Sequence, residues 1–295
     1  MDDVVAYSRS SSRLCSGTLS RLAALTEEMS RAGQVEISRP VEFYLPGYEE
    51  ALELCEAASD VGKCAWVDGG FAVSTLPLSS HEIAHLLFDQ TDPLPFLSEA
   101  NATYFGEEPL AGLKVSVAIQ DVLNRRDYQS LGGNWAHYLV ESAGYSKWRE
   151  LFLRTNASTS VREFEQVFTT IYGRTPQATL DEIEELNYRP SPIPWPACRG
   201  YGRTLVIDEA RTMERSAECA EGEFGFEGES YTTELLGLSR AFDIIEASGD
   251  WSIFDCSTGT RLFGDDLESD SPAVTLPKGQ YLFETWFDGA QLTIE

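Results

Sequence analysis

The stretch HEIAHLLFDQTDPLPFLSEANATYF, residues 81–105, decides how the rest of the chain is read. On a helix, residues four apart project from one face about a turn apart, so His81 and His85 can share a single metal ion. Glu82 then stands beside that ion without ligating it. Two neutral imidazoles on zinc, with a carboxylate placed to take a proton from water, make an arrangement for metal-assisted hydrolysis. The chain holds only three histidines, so two of them at this spacing form a specific signal. The competing reading is an ordinary amphipathic helix that carries two histidines.

A catalytic zinc needs a third protein ligand. Asp92-Pro93 and Pro95 end the first helix and turn the chain. A new helix from about Leu97 then carries Glu99 back alongside. Glu107 and Glu108 are rivals at longer spacing. Asp89 lies on the first helix and is better placed as a partner behind a histidine than as a ligand.

With Glu99 included, residues 81–105 resemble the gluzincin metallopeptidases, the thermolysin and aminopeptidase N-like clan. His81, Glu82 and His85 match the first motif of that clan without substitution. FLSEANATYF is similar to a WLSEGLAEYF-like second motif, with Glu99 as the ligand and Tyr104-Phe105 as the following aromatic pair. A metzincin is not matched, because its third histidine falls at Thr91. A looser likeness over about residues 35–185 includes YQSLGGNWAHYLVESAGY, which departs from the family pattern at Gly132-Gly133-Asn134-Trp135. The connection between His85 and Glu99 is also shorter than in thermolysin-like enzymes.

The resemblance implies a small twisted sheet, the active-site helix, a helical subdomain and a substrate cleft between them. It implies zinc on His81, His85 and Glu99, with Glu82 as general base and then acid. The strand just before the active-site helix, GFAVSTL, is expected to be a substrate-binding edge. A tyrosine or histidine is expected to stabilise the oxyanion. Tyr128 is the choice by its place in the pattern, with His137 and Tyr138 as rivals. The Gly-x-Met-Glu-Asn motif of aminopeptidases is missing, as Met1, Met29 and Met213 stand in other contexts, so amino-terminal exopeptidase activity is not expected.

The net charge of −26 argues against nucleic acid and anionic membranes as partners and is read as a solubility feature. No apolar run approaches the length of a membrane span. Six cysteines without a CxxC pair point to disulfides and an oxidising compartment. Cys55–Cys64 is the easiest pairing, and full pairing requires at least one bridge from the C-terminal third back to the N-terminal part. The opening MDDVVAYSRSSSRLC lacks the basic and apolar regions of a signal peptide. The expected location is therefore secreted, periplasmic or cell-surface, with any signal segment outside this chain.

Apolar spacing from Leu14 to about Ser30 predicts a helix. VEISRPVEFYLPG reads as strand, YEEALELCEAAS as a short helix, and KCAWVDGGFAVSTL as extended chain broken at Gly69-Gly70. Leu97 to Tyr188 is mostly helical. NYRPSPIPWPAC then marks a linker, and short strand-like pieces follow to the C-terminus. Residues 201–295 carry 20 acidic and 6 basic side chains. The expected fold is α+β: a gluzincin-like domain over 1–196, with its sheet at about 34–80 and its helices at about 80–188. A β-sandwich-like domain over 197–295 completes it. The final LPKGQYLFETWFDGAQLTIE resembles the closing hairpin of modules appended to secreted bacterial peptidases. GDDLESD is a weak candidate calcium loop, more simply a solvated acidic turn. The expected function is zinc-dependent peptide hydrolysis, with a peptide or protein as substrate. The alternatives are a catalytically inactive metallopeptidase-like binding or surface protein, and a β-sandwich adhesin with an incidental helical domain.

Overall fold

The computed structural model describes residues 4–8, 14–15, 17–46, 48–55, 63–68, 70–74, 79–106, 117–125, 129–186, 188, 204–215, 232–257, 261–263 and 274–295. Four short strands, β1 (Val4–Ser8), β2 (Val41–Leu45), β3 (Lys63–Trp66) and β4 (Phe71–Ser74), form one sheet in the order β1-β2-β4-β3. β1, β2 and β4 run parallel, and β3 pairs antiparallel with β4. β2 shows why the sheet has two faces: Val41, Phe43 and Leu45 are buried, while Tyr44 between them is exposed. The parallel pairs need crossovers, and α1 (Gly17–Gly33) supplies one between β1 and β2. Its Leu22, Leu25 and Met29 recur at helical spacing and are buried in the same core.

The expectation of a substrate-binding edge at GFAVSTL is overturned. β4, which begins that stretch, lies inside the sheet between β2 and β3, and β3 is the outer strand. The turn between β3 and β4 folds β3 back onto the outside of its successor. Arg39 fastens this turn by donating to the carbonyls of Val67 and Asp68. The Cys55–Cys64 bridge then ties β3 to the end of α2 (Tyr48–Leu54).

The active-site helix α3 (Ser80–Phe88) packs beneath β3 and β4. It starts at Ser80, and the Ser79 side chain makes no capping hydrogen bond. A single 3-10 turn at Asp89–Thr91 and a left-handed Asp92, φ 51°, reverse the chain. Pro95 then opens α4 (Pro95–Phe105), two residues before the predicted start. α5 (Ile119–Val122), α6 (Gln129–Ala143), α7 (Tyr145–Arg154), α8 (Val161–Tyr172) and α9 (Pro176–Glu185) complete the helical part. Ser160 and Glu163 cap α8 reciprocally, and Gly173 ends it in the left-handed conformation, φ 74°. α4 and α6 approach closely at Gly132, where an added Cβ would lie 2.9 Å from that of Ala100.

Strands β5 (Thr204–Ile207), β6 (Arg211–Arg215), β7 (Thr232–Leu238), β8 (Phe242–Asp255), β9 (Arg261–Phe263), β10 (Val274–Leu276) and β11 (Gly279–Ile294) form a seven-stranded sheet. It is antiparallel apart from the parallel β5–β7 pair. The long strands β8 and β11 run together through its centre with an irregularity between Thr285 and Ala290. One half of β11 also pairs with β7 and the other with β6, which makes the sheet sandwich-like. The expected closing hairpin is corrected: β10 pairs with β8, while β11 pairs with β6, β7 and β8. AFDIIEA and WSIFDCS are one strand, continuous through Gly249 at φ 81°. GDDLESD lies outside the described residues. This part buries its own core, including Met213, Leu236, Trp251, Ile253, Phe283 and Leu292. Cys15 and Cys256 are also disulfide-bonded. With Cys55 joined to Cys64, Cys15 must pair with a cysteine beyond residue 197. Among the described residues, no helix is long and apolar enough to cross a membrane.

Candidate metal centre

α3 and α4 pack against each other with His81, Glu82, His85 and Glu99 all buried between them and the sheet. His81, His85 and Glu99 are the one group of three or more potential metal-binding side chains among the described residues. The His85 Nε2 lies 3.1 Å from the His81 Nε2. A Glu99 oxygen lies 3.3 Å from the first-motif nitrogen of His81 and 3.6 Å from that of His85. Ligand bonds of about 2.05 Å in a tetrahedron place donor atoms about 3.3 Å apart. The three donors therefore stand at zinc spacing, and the centre matches the HExxH…E architecture of gluzincins.

The side chains behind the donors set their orientation. His85 Nδ1 donates to Asp89 Oδ2 at 2.8 Å, leaving the Nε2 lone pair turned to the other donors. Ser98, immediately before Glu99, donates to the same Asp89 oxygen at 2.5 Å and lies 3.1 Å from His85 Nδ1. Asp89, at the C-terminal end of α3, thus takes the supporting place expected of it. Gly106, just after α4, comes so close to His81 that an added Cβ would lie 3.1 Å from the histidine Cβ. A side chain there would displace the first ligand.

The electrostatics favour a cation. Burial alone would lower the His85 pKa, yet hydrogen bonds and charge from Asp89 and Glu99 push it up to about 10. Burial would raise that of Glu99, yet both imidazoles hold it well below the usual carboxylate range. A field that retains a proton on the buried His85 imidazole also favours a divalent ion in its place.

The rival ligands Glu107 and Glu108 lie outside the described residues, as does Tyr128. Tyr138 accepts a hydrogen bond from Arg174 at 3.0 Å, and its ring meets Tyr188, so it braces the outer helices. His137 is buried on α6 with its ring 4.9 Å from that of Tyr104. Burial pushes its pKa down to about 4, so it stays neutral. One feature escaped the reading of the sequence. Ser98 could have been found, because the residue before a metal-facing glutamate turns back toward α3.

The chain matches no protein-family model, and no curated protein is significantly similar to it in sequence. The case for a gluzincin-type centre therefore rests on its motif and geometry.

Proposed function

We propose that this chain is a zinc-dependent peptidase, and the observation that carries the reading is the buried His81–His85–Glu99 cluster with its donors at tetrahedral spacing. These three residues would hold the ion. When bound, zinc supplies Lewis acidity that acidifies water and polarises the peptide carbonyl. Glu82, in the first turn of α3, takes the proton from water and returns it to the leaving amine. Asp89 and Ser98 keep His85 in the tautomer that ligates. Tyr128 is our choice for stabilising the developing charge on the carbonyl oxygen, by its place in the gluzincin pattern. β3 flanks α3 at the rim of its sheet, and an extended peptide can pair with such an edge.

Export to an oxidising compartment accords with Cys15, Cys55, Cys64 and Cys256, all disulfide-bonded. The −26 charge speaks for a peptide over a nucleic acid as substrate. The deciding experiment is Glu82→Gln in zinc-loaded protein. Retained zinc with cleavage of a broad peptide library reduced by about 10³-fold or more supports the enzyme. A wild type that binds one zinc and cleaves nothing identifies the inactive binding protein instead.

A further inference from the structure

Two asparagines of this chain stand two residues before a threonine or serine: Asn101-Ala102-Thr103 on α4, and Asn156-Ala157-Ser158 between α7 and α8. Asn-x-Ser and Asn-x-Thr form the acceptor pattern for N-linked sugar, in which the hydroxyl two residues on can hydrogen-bond the carboxamide that is glycosylated. The fold treats the two segments oppositely. Asn101 is 2% exposed, and its carboxamide oxygen accepts from the Trp148 indole at 2.9 Å. Thr103 is buried beside it. A sugar on Asn101 could not coexist with this packing. Asn156, Ala157 and Ser158 are all exposed. The Ser158 N–H and hydroxyl donate to Asn156 Oδ1 at 3.0 Å and 2.6 Å, and none of the described residues bonds to Nδ2. The oxygen is held by the hydroxyl that the pattern requires, and the nitrogen is left open. The turn itself is anchored. The Ala157 N–H donates to the Asp92 carbonyl at 2.8 Å, and the Asn156 N–H donates to the Thr159 hydroxyl oxygen at 2.9 Å.

We infer that Asn156 is the acceptor of an N-linked oligosaccharide and that Asn101, with the same pattern, is not. The co-substrate is an oligosaccharide carried on a lipid diphosphate. Asn156 Nδ2 attacks the anomeric carbon of its first sugar, and a C–N bond forms as the C–O bond to the diphosphate breaks. The lipid diphosphate leaves with that electron pair, Nδ2 gives one proton to a base of the transferase, and nothing is oxidised or reduced. Such transfer accompanies passage through a compartment where disulfides form, which accords with the bonded Cys15, Cys55, Cys64 and Cys256. The inference rests on export of the chain and is independent of the metal centre and of peptidase activity.

The test is mass spectrometry of the full chain secreted from cells that carry an oligosaccharyltransferase. The intact protein should gain the mass of a single glycan. An amidase that releases N-linked sugar converts the modified asparagine to aspartate, and peptide mapping should find that conversion at Asn156 and not at Asn101. Asn156→Asp keeps the oxygen that organises the turn and removes the nitrogen. Ser158→Ala keeps the asparagine and removes the hydroxyl. Each variant should lose the whole mass increment, and thermal melting identifies the folded ones. With two variants, a failure of either to fold leaves the other to decide. A folded, secreted wild type without sugar overturns the inference, as does a glycan on Asn101 in folded protein. A mass increment that survives Asn156→Asp also overturns it, by placing the sugar on a hydroxyl of the same turn. Peptide cleavage and zinc content are measured separately on the same protein, so the peptidase reading stands or falls without this one.

Discussion

His85 and His137 lie on two flanks of the same ligand helix, and the two flanks treat them oppositely. Between α3 and α4, His85 meets Asp89, Ser98 and Glu99, and carboxylates raise its pKa to about 10. Between α4 and α6, His137 meets the ring of Tyr104, and burial lowers its pKa to about 4. Burial is similar on both sides, so it does not decide the charge. The presence of a carboxylate within hydrogen-bond reach does. One flank is built for a cation and the other keeps its histidine neutral.

Removing the carboxylate from the first flank gives the largest expected change. Glu99→Ala leaves two imidazoles for the ion, and zinc affinity should fall on the order of a thousandfold. Chelator competition measures it. Unchanged affinity would move the third ligand to Glu107 or Glu108. The second flank is tested by acid. Between about 6.5 and 4, unfolded chains protonate His137 and the folded one does not, so its effect is to lower stability as pH falls through that window. Above 6.5 it has no effect. The loss amounts to about 3 kcal/mol at full development. In denaturant titrations of zinc-free protein, the stability of the wild type relative to His137→Leu should therefore fall by that amount between pH 6.5 and 4, because only the wild type carries this acid limb. Parallel curves would mean that His137 takes up protons in the fold.

The same contrast explains what was legible in the sequence. HEIAH, Asp89 and Glu99 lie within 19 residues, and helical periodicity alone places them on facing sides of two short helices. Asp92-Pro93 and Pro95 announce the turn between them. Sheet order is different, because alternation in KCAW and FAVS says that each is a strand and nothing about which lies outside. β1 escaped notice for a related reason. VVAYS is five residues long, and its parallel partner β2 begins more than thirty residues later. Short strand-like pieces are expected in the last third, yet AFDIIEA and WSIFDCS join into one strand because Gly249, at positive φ, lets β8 continue. His137 sits in a region where the family likeness is loose, so the pattern offered it only as a rival to Tyr128 and said nothing of its burial.

Asp89→Asn sharpens the comparison with a smaller effect. It preserves the shape of the His85 partner and removes the charge that distinguishes the two flanks. Zinc affinity should fall by about 10- to 100-fold, and the pKa of His85 in zinc-free protein should drop, as NMR titration would show. A His85 that still titrates near 10 would assign the shift to Glu99 alone.

Ser98→Ala is the finest of these changes. The hydroxyl bridges α4 to the Asp89–His85 pair, so it holds the two ligand helices in register without touching the donor atoms. Asp89 keeps its hydrogen bond to His85 when the bridge is lost, and the charge on this flank is unaltered. The expected result is a fall of about tenfold or less in zinc affinity, the lower end of what supporting residues contribute. The His85 titration should be almost unmoved. Cobalt-substituted protein provides the discriminating readout, because its visible bands report ligand geometry. Altered bands with an unchanged His85 titration would show that Ser98 positions the ligands. Unaltered bands with weaker binding would assign it to packing alone. A loss as large as that of Asp89→Asn would mean that the serine, and not the aspartate, selects the ligating tautomer.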